Sequence, residues 1–216
     1  DWTVNTTYIP HLLERMENDP QRLAKKLQRT DTWGKEGQPM KFDAIVGNPP
    51  YQEMDGGNNA SAVPLYQLFM EQAVLVEPHY ISMIMPARWY SGGRGLDKFR
   101  SEMLNDERLC KMMDFSDSND CFPGVDIAGG VCYFLWDKSA HGECKVISVH
   151  NGKQSISERK LNEYDTFIRF KEAISIIKKI QLRESKFYSE RVSSQKPFGL
   201  RTYVKPTESG DIKLRY

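Results

Sequence analysis

The sequence predicts an α/β fold built on a mostly parallel sheet with one antiparallel edge strand, and three observations carry that prediction. Short apolar runs alternate with segments of helical spacing, as in sheets whose strands are linked by crossover helices. The run Phe42–Val46 ends at Gly47-Asn48-Pro49-Pro50, a sharp turn of the kind that closes a strand. The last two runs, Lys111–Phe115 and Gly130–Trp136, are joined by a Gly- and Asp-rich loop with too little chain for a crossover helix, so they are expected to pair antiparallel at the edge.

Taken in order, Tyr8–Gln28 has Leu12, Leu13, Met16, Leu23 and Leu27 at helical spacing. A break is expected at Asn18-Asp19-Pro20, where a cap and a proline restart the helix. Residues 30–40 are polar and contain glycine, hence loop. Phe42–Val46 reads as a buried strand. Leu65–Val76 returns to helical spacing, Tyr80–Met85 is a second buried strand, and Leu96–Leu104 another helix. Thr166–Arg183, with Phe167, Phe170, Ile174, Ile177 and Ile180, marks a helix outside the sheet. The expected division is 1–150 for a catalytic domain and 151–216 for a basic helical extension leading toward a recognition region.

At 216 residues, with 39% hydrophobic and 27% charged side chains, the chain holds one well-cored domain and part of another. No apolar stretch approaches the roughly 20 residues that cross a bilayer, so no membrane partner is expected. The opening Asp1-Trp2-Thr3-Val4 lacks the marks of a signal peptide. Cys110, Cys121, Cys132 and Cys144 are widely spaced without ligand-like neighbours, so no metal is expected, and reduced thiols suit a cytoplasmic location. The net charge of +1 hides an uneven distribution. Residues 151–216 carry 15 Lys and Arg against 8 Asp and Glu, leaving residues 1–150 acidic. That basic density, interleaved with Phe187, Tyr188, Phe198 and Tyr203, suits contact with phosphates, and equally suits a solvated helix face.

The chemistry is concentrated in Phe42-Asp43-Ala44-Ile45-Val46-Gly47-Asn48-Pro49-Pro50-Tyr51. Ligands of open α/β sheets gather beyond the carboxyl ends of strands, where this strand delivers its Asn, two prolines and Tyr. Two prolines lock φ and remove donors, leaving the carbonyls of Asn48 and Pro49 and the Asn48 side-chain oxygen as a group of acceptors beside the Tyr51 ring. Such a group suits a planar amine stacked on Tyr51; a plain strand-end turn uses the same residue types.

At these residues the chain resembles the adenine-N6 DNA methyltransferases of restriction-modification systems, whose catalytic signature reads NPPY. The flanking segments Tyr66–Ala73, Ile84–Trp89 and Asp120–Val131 are similar in order and spacing to the later motifs of the Eco57I-like methylases. The resemblance spans about Asp31 to Lys138 and implies a Rossmann-like S-adenosylmethionine-dependent methyltransferase sheet, present in part. It implies Asn48, Pro49, Pro50 and Tyr51 as the catalytic set, double-stranded DNA as substrate with the adenine flipped out, and a restriction endonuclease, fused or separate, as partner. Tyr51 and Phe122 would stack on the two faces of the base. Asp31 and Phe69 would touch the adenine ring of S-adenosylmethionine. A loop cap for Asp31, a core position for Phe69, a core ring for Phe122, and a buried Trp89 with a salt-bridged Arg88 are the competing structural readings.

One departure is plain: the family's Gly-rich loop, which precedes NPPY, has no counterpart in residues 1–47, where Gly34, Gly37 and Gly47 stand isolated. The chain is therefore expected to be the central and C-terminal half of a catalytic domain, inactive alone. The alternatives are an RNA or protein-amide methyltransferase of the same fold, or an inactive truncated DNA-binding module.

Overall fold

The computed structural model describes residues 7–33, 37–52, 63–93 and 95–183. The aromatic residues of the basic tail, Phe187, Tyr188, Phe198 and Tyr203, and Gly34 lie outside the described residues. The chain divides into two compact units, Asp1–Lys171 and Glu172–Tyr216. The division expected at residue 150 therefore falls later, because residues beyond it complete the sheet.

Two short helices open the first unit, α1 (Leu12–Asn18) and α2 (Pro20–Leu27). They break where the sequence indicated: the Asp19 carboxylate accepts from Arg22 N at 3.3 Å, and Pro20 occupies the first turn, where its missing N–H costs nothing. Helix α2 buries Leu23 and Ala24 and is tied at both ends to the chain around α3 (Tyr66–Leu75). Gln72 Nε2 donates to Pro20 O at 3.2 Å, and Gln28 Nε2 donates to Val76 O at 3.0 Å.

The sheet holds β1 (Ala44–Gly47), β2 (Tyr80–Pro86), β3 (Leu109–Phe115), β4 (Val131–Asp137), β5 (Cys144–His150) and β6 (Lys153–Arg159), in the order β1-β2-β4-β3-β5-β6. Strand β1 runs parallel to β2, and β3 parallel to β5, while β4 is antiparallel to both its neighbours and β6 to β5. Four of the six strands thus point one way, and the α/β class holds. Helix α3 makes the parallel crossover from β1 to β2, and α4 (Asp97–Asn105) connects β2 to β3.

Several expectations are corrected. The antiparallel pairing of β3 with β4 is present, yet β4 lies inside the sheet between β2 and β3 rather than at its edge. Its apolar run explains this, since Val131, Cys132, Phe134 and Trp136 are each 1% exposed or less and need neighbours on both sides. The antiparallel edge is instead β6, one of two strands beyond those anticipated. Lastly, β1 pairs only with β2 among the described strands, and Val46 is 77% exposed, so the strand expected to be buried has an open face. The helix expected over Thr166–Arg183 is shorter, α5 (Lys171–Gln181).

The core packs β2, β3 and β4 against α3 and α4, with Tyr66, Met70, Met85, Trp89, Leu96, Phe99, Met112, Phe134 and Trp136 at its centre. A smaller cluster of Phe115, Val131 and Val149 forms under the loop that joins β3 to β4.

Candidate active site

Because β1, β2 and β3 point the same way, the segments that follow them gather at one end of the sheet. Together they border a cleft of about 270 Å³. From beyond β1 come Tyr51 and Gln52; from the end of β2, Pro86 and Arg88; from the β3–β4 loop, Asp126, Ile127 and Ala128. Pro64 and Tyr66, where the chain enters α3, complete the wall.

The NPPY segment leaves β1 with Asn48 exposed, Pro49 buried, Pro50 exposed and Tyr51 half-buried. Burying Pro49 fixes the turn, because its locked φ leaves no local alternative. The Tyr51 carbonyl accepts from Leu65 N at 3.2 Å, and Gln52 forms a lone antiparallel bridge with Pro64, which pins the Tyr51 end of the segment to the start of α3. Asn48 engages no other described residue by its side chain, so its amide oxygen is free to accept. Burial pushes the Tyr51 phenol above its ordinary value, so the ring stays neutral.

The opposite wall is a stapled loop. Ser118 Oγ donates to Val125 O at 2.6 Å and accepts from Ile127 N at 2.9 Å. Asp117 caps the turn by accepting from Asn119 N at 2.9 Å, and Asn119 Oδ1 accepts from Gly124 N at 3.1 Å. At the far end Gly130 has φ 79°, and a Cβ there would sit 2.0 Å from Phe115 O, so only glycine closes the loop onto β4. Arg169 locks the same corner. Its Nε lies 2.9 Å from the Asp114 carboxylate, its Nη2 donates to Gly129 O at 2.7 Å, and its guanidinium stands 5.1 Å from the Tyr90 ring. Asp114 is completely buried, and that burial pushes its carboxyl up to about 6 against the pull of Arg169.

Measured against the expected site residues, the structure brings some together and separates others. Tyr51 lines the cleft beside the end of the NPPY turn. Phe122 does not: its half-buried ring packs on Phe115, Val131 and Val149, and Ile127 and Ala128 of the same loop line the cleft instead. The short turn Ser118–Asp120 folds Phe122 back, with Phe122 N donating to Ser118 O at 2.7 Å.

Asp31 sits in the turn Thr30–Trp33, exposed and paired with Arg29, whose Nε donates to Oδ1 at 3.0 Å while Nη2 meets Oδ2. That hydrogen-bonded ion pair draws its carboxyl below the usual value. Asp31 borders a separate cleft of about 800 Å³ among α1 and α2, with Arg15, Arg22, Lys25 and Lys26. Phe69 is half-buried on α3 and lines neither cleft. A carboxylate and an aromatic ring suit a nucleoside chemically, but among the described residues these two are not assembled into one site.

Sequence reasoning gave no role to Tyr66 and read Arg88 as structural. Tyr66 is 2% exposed, and its hydroxyl has no hydrogen-bond partner among the described residues. Trp89 is fully buried as expected, but the salt bridge offered for Arg88 is missing: Arg88 is exposed and forms no ion pair with any described residue. Its position immediately after a strand's carboxyl end was the available signal. Among the described residues no group of His, Cys, Asp and Glu could hold a metal, and no helix is long and apolar enough to cross a membrane.

A sheet whose parallel strands end at one cleft, lined by Tyr51 of the NPPY segment and by a stapled loop, defines an α/β protein with a candidate site at its strand ends. Residues 1–122 match the family model of the Eco57I restriction-modification methylases, and the chain belongs to that family. It is 34% identical over 134 residues to an uncharacterized adenine-specific methylase of Mycoplasma pneumoniae, an alignment covering 60% of this chain. The chain spans about a third of that relative, 31% of its length. Solved structures with partial likeness include the type IIG restriction endonuclease BpuSI, at 14% identity and a TM-score of 0.41, covering 56% of this chain and 19% of that one. Another is the type I restriction-modification methyltransferase subunit of Streptococcus thermophilus, at 13% identity and a TM-score of 0.38, covering 73% and 34%.

Proposed function

We propose that the protein carrying this chain transfers a methyl group from S-adenosylmethionine to the N6 amine of adenine in double-stranded DNA, as the modification activity of a restriction-modification system. The observation that carries the reading is the NPPY turn, with a free Asn48 amide at a strand's carboxyl end and Tyr51 on the adjoining cleft.

The target amine is paired and stacked inside a duplex, so the base must be extruded before it reacts. Tyr51 then stacks on one face, a contact of roughly 1–3 kcal/mol in single-strand binders. Ile127 supplies apolar surface across the cleft, and Phe122 supports the loop from beneath. Asn48 Oδ1 and the Pro49 carbonyl accept hydrogen bonds from the two N6 hydrogens, which keeps lone-pair density on nitrogen as it forms the new N–C bond. S-adenosylmethionine, when bound, supplies a methyl on a cationic sulfur that leaves as a neutral thioether. The nitrogen sheds one proton to water afterwards, and no metal or covalent enzyme intermediate is required. Asp31 and Phe69, which the resemblance offers for the nucleoside end of the donor, line no common cleft among the described residues, so no contact to the donor is assigned to them. A cytoplasmic location and a restriction endonuclease, fused or separate, complete the proposal.

Asn48→Ala tests it in the full-length protein. Ala removes the side-chain acceptor and leaves the diproline turn intact. DNA methylation at saturating substrate should fall by about two to three orders of magnitude, the loss typical when one preorganised polar contact to a reacting group is removed. The thermal midpoint should stay unchanged. Near-parental turnover would end the role given to Asn48.

A further inference from the structure

We propose that Arg88 anchors a backbone phosphate beside the extruded adenine, an inference that rests on the reading above. Arg88 stands in the turn Ala87–Tyr90, which leaves β2 at the end where the cleft lies. The main chain around it is held. Ala87 N donates to Gly130 O at 2.9 Å, and Ser91 Oγ donates to Arg88 O at 3.3 Å. Next to it Trp89 is fully buried, its ring 4.7 Å from Tyr90 and 6.0 Å from Phe99. The β3–β4 loop closes from the other direction, so that a Cβ on Gly129 would lie 4.0 Å from Arg88 Cα.

The guanidinium is treated differently from the backbone that carries it. It is exposed and has neither an ion pair nor a side-chain hydrogen bond with any described residue. It borders two clefts at once: the 270 Å³ cleft with Tyr51, and a second of about 470 Å³ that also includes Tyr90, Gly129, Phe167 and Arg169. The other arginine at that second cleft, Arg169, is already committed to Asp114 and the Gly129 carbonyl. Among the described residues, Arg88 is therefore the cation at this wall left available to an anion from outside. The acid on the first cleft, Asp126, makes no ion pair with it.

A base stacked on Tyr51 occupies the first cleft, and its sugar and phosphates must leave by the mouth, past the wall the two clefts share. A planar guanidinium presents two parallel N–H donors that match two phosphate oxygens, and a rigid turn keeps the ordering cost of that contact low. Tyr66 lines the same cleft, and its buried hydroxyl has no partner among the described residues.

The test uses the full-length protein and a duplex carrying its methylation site, mapped first from modified adenines in genomic DNA. In matched duplexes, the phosphate on either side of the target adenine is replaced by a neutral methylphosphonate. DNA affinity is read by fluorescence anisotropy without cofactor, so the outcome is independent of methyl transfer. Arg88→Met should weaken binding to the unmodified duplex about tenfold, the cost of losing one charge-assisted hydrogen bond, with Arg88→Lys intermediate. One of the two methylphosphonates should weaken the parent by a similar factor and leave Arg88→Met unaffected. Losses from substitution and methylphosphonate that simply multiply would overturn the proposal, as would equal affinities of parent and Met variant. Should the Met variant misfold, the Lys variant gives the same comparison. A parent that binds DNA through Arg88 but never methylates adenine would overturn the proposed function instead.

Discussion

Asn48 and Asp114 show two ways in which this fold handles a polar side chain. Asn48 is left exposed, its acceptor unused by any described residue, whereas Asp114 is completely buried and held by Arg169 at 2.9 Å. Burial of Asp114 has a sign that can be tested. Its carboxyl is raised from 3.8 to about 6, so between those values the native state retains a proton that the unfolded chain has lost. Its stabilising contribution is full below the lower value and is lost as pH rises through the upper one, with a slope of about 1.4 kcal/mol per pH unit. Urea unfolding of the parent and Asp114→Asn should therefore show the parent's relative stability declining from pH 4 to pH 7. A flat or rising difference would mean that Arg169 outweighs burial.

At the scale of elements, the loop from β3 to β4 decides where the cleft wall falls. Ser118 staples it, Arg169 holds Gly129, and Gly130 admits the close pass of Phe115 O. Gly130→Ala forces a Cβ into that carbonyl at a positive φ, so it should destabilise by more than about 2 kcal/mol. Chemical denaturation measures this, and a loss under 0.5 kcal/mol, about that of an ordinary surface change, would contradict the close approach. The same loop shows what the sequence could convey. The helix break at Asp19-Pro20, the NPPY turn and the strands β2, β3 and β4 follow from local chemistry and were legible. The direction taken by Phe122 was not, because it depends on Ser118 bonding residues seven and nine positions away. Strands β5 and β6 did have a local sign. Asn151-Gly152 joins them, with φ 51° and 70°, the conformation that Asn-Gly supplies in two-residue hairpins. Lys153–Arg159 has one apolar residue, Ile156, among seven, which hid the second strand and is what an edge position tolerates.

On the scale of the whole molecule, four strands pointing one way bring residues from beyond β1, β2 and β3 to a common cleft, although they lie as far apart in sequence as Tyr51 and Ala128. No local pattern reports that convergence; it follows from strand order. The family gave the NPPY turn its chemical meaning, and the strand order placed Arg88 and Ile127 beside it. Asp31 and Phe69 line no common cleft among the described residues, so the proposal stands on the acceptor side of the reaction. The most direct measurement is to incubate the full-length protein with isotopically labelled S-adenosylmethionine and unmodified duplex DNA. The DNA is then digested to nucleosides and the label located by mass spectrometry. The account predicts label in N6-methyladenine, absent with Asn48→Ala. Label in cytosine, in RNA or in protein glutamine, or none in the DNA, would contradict it.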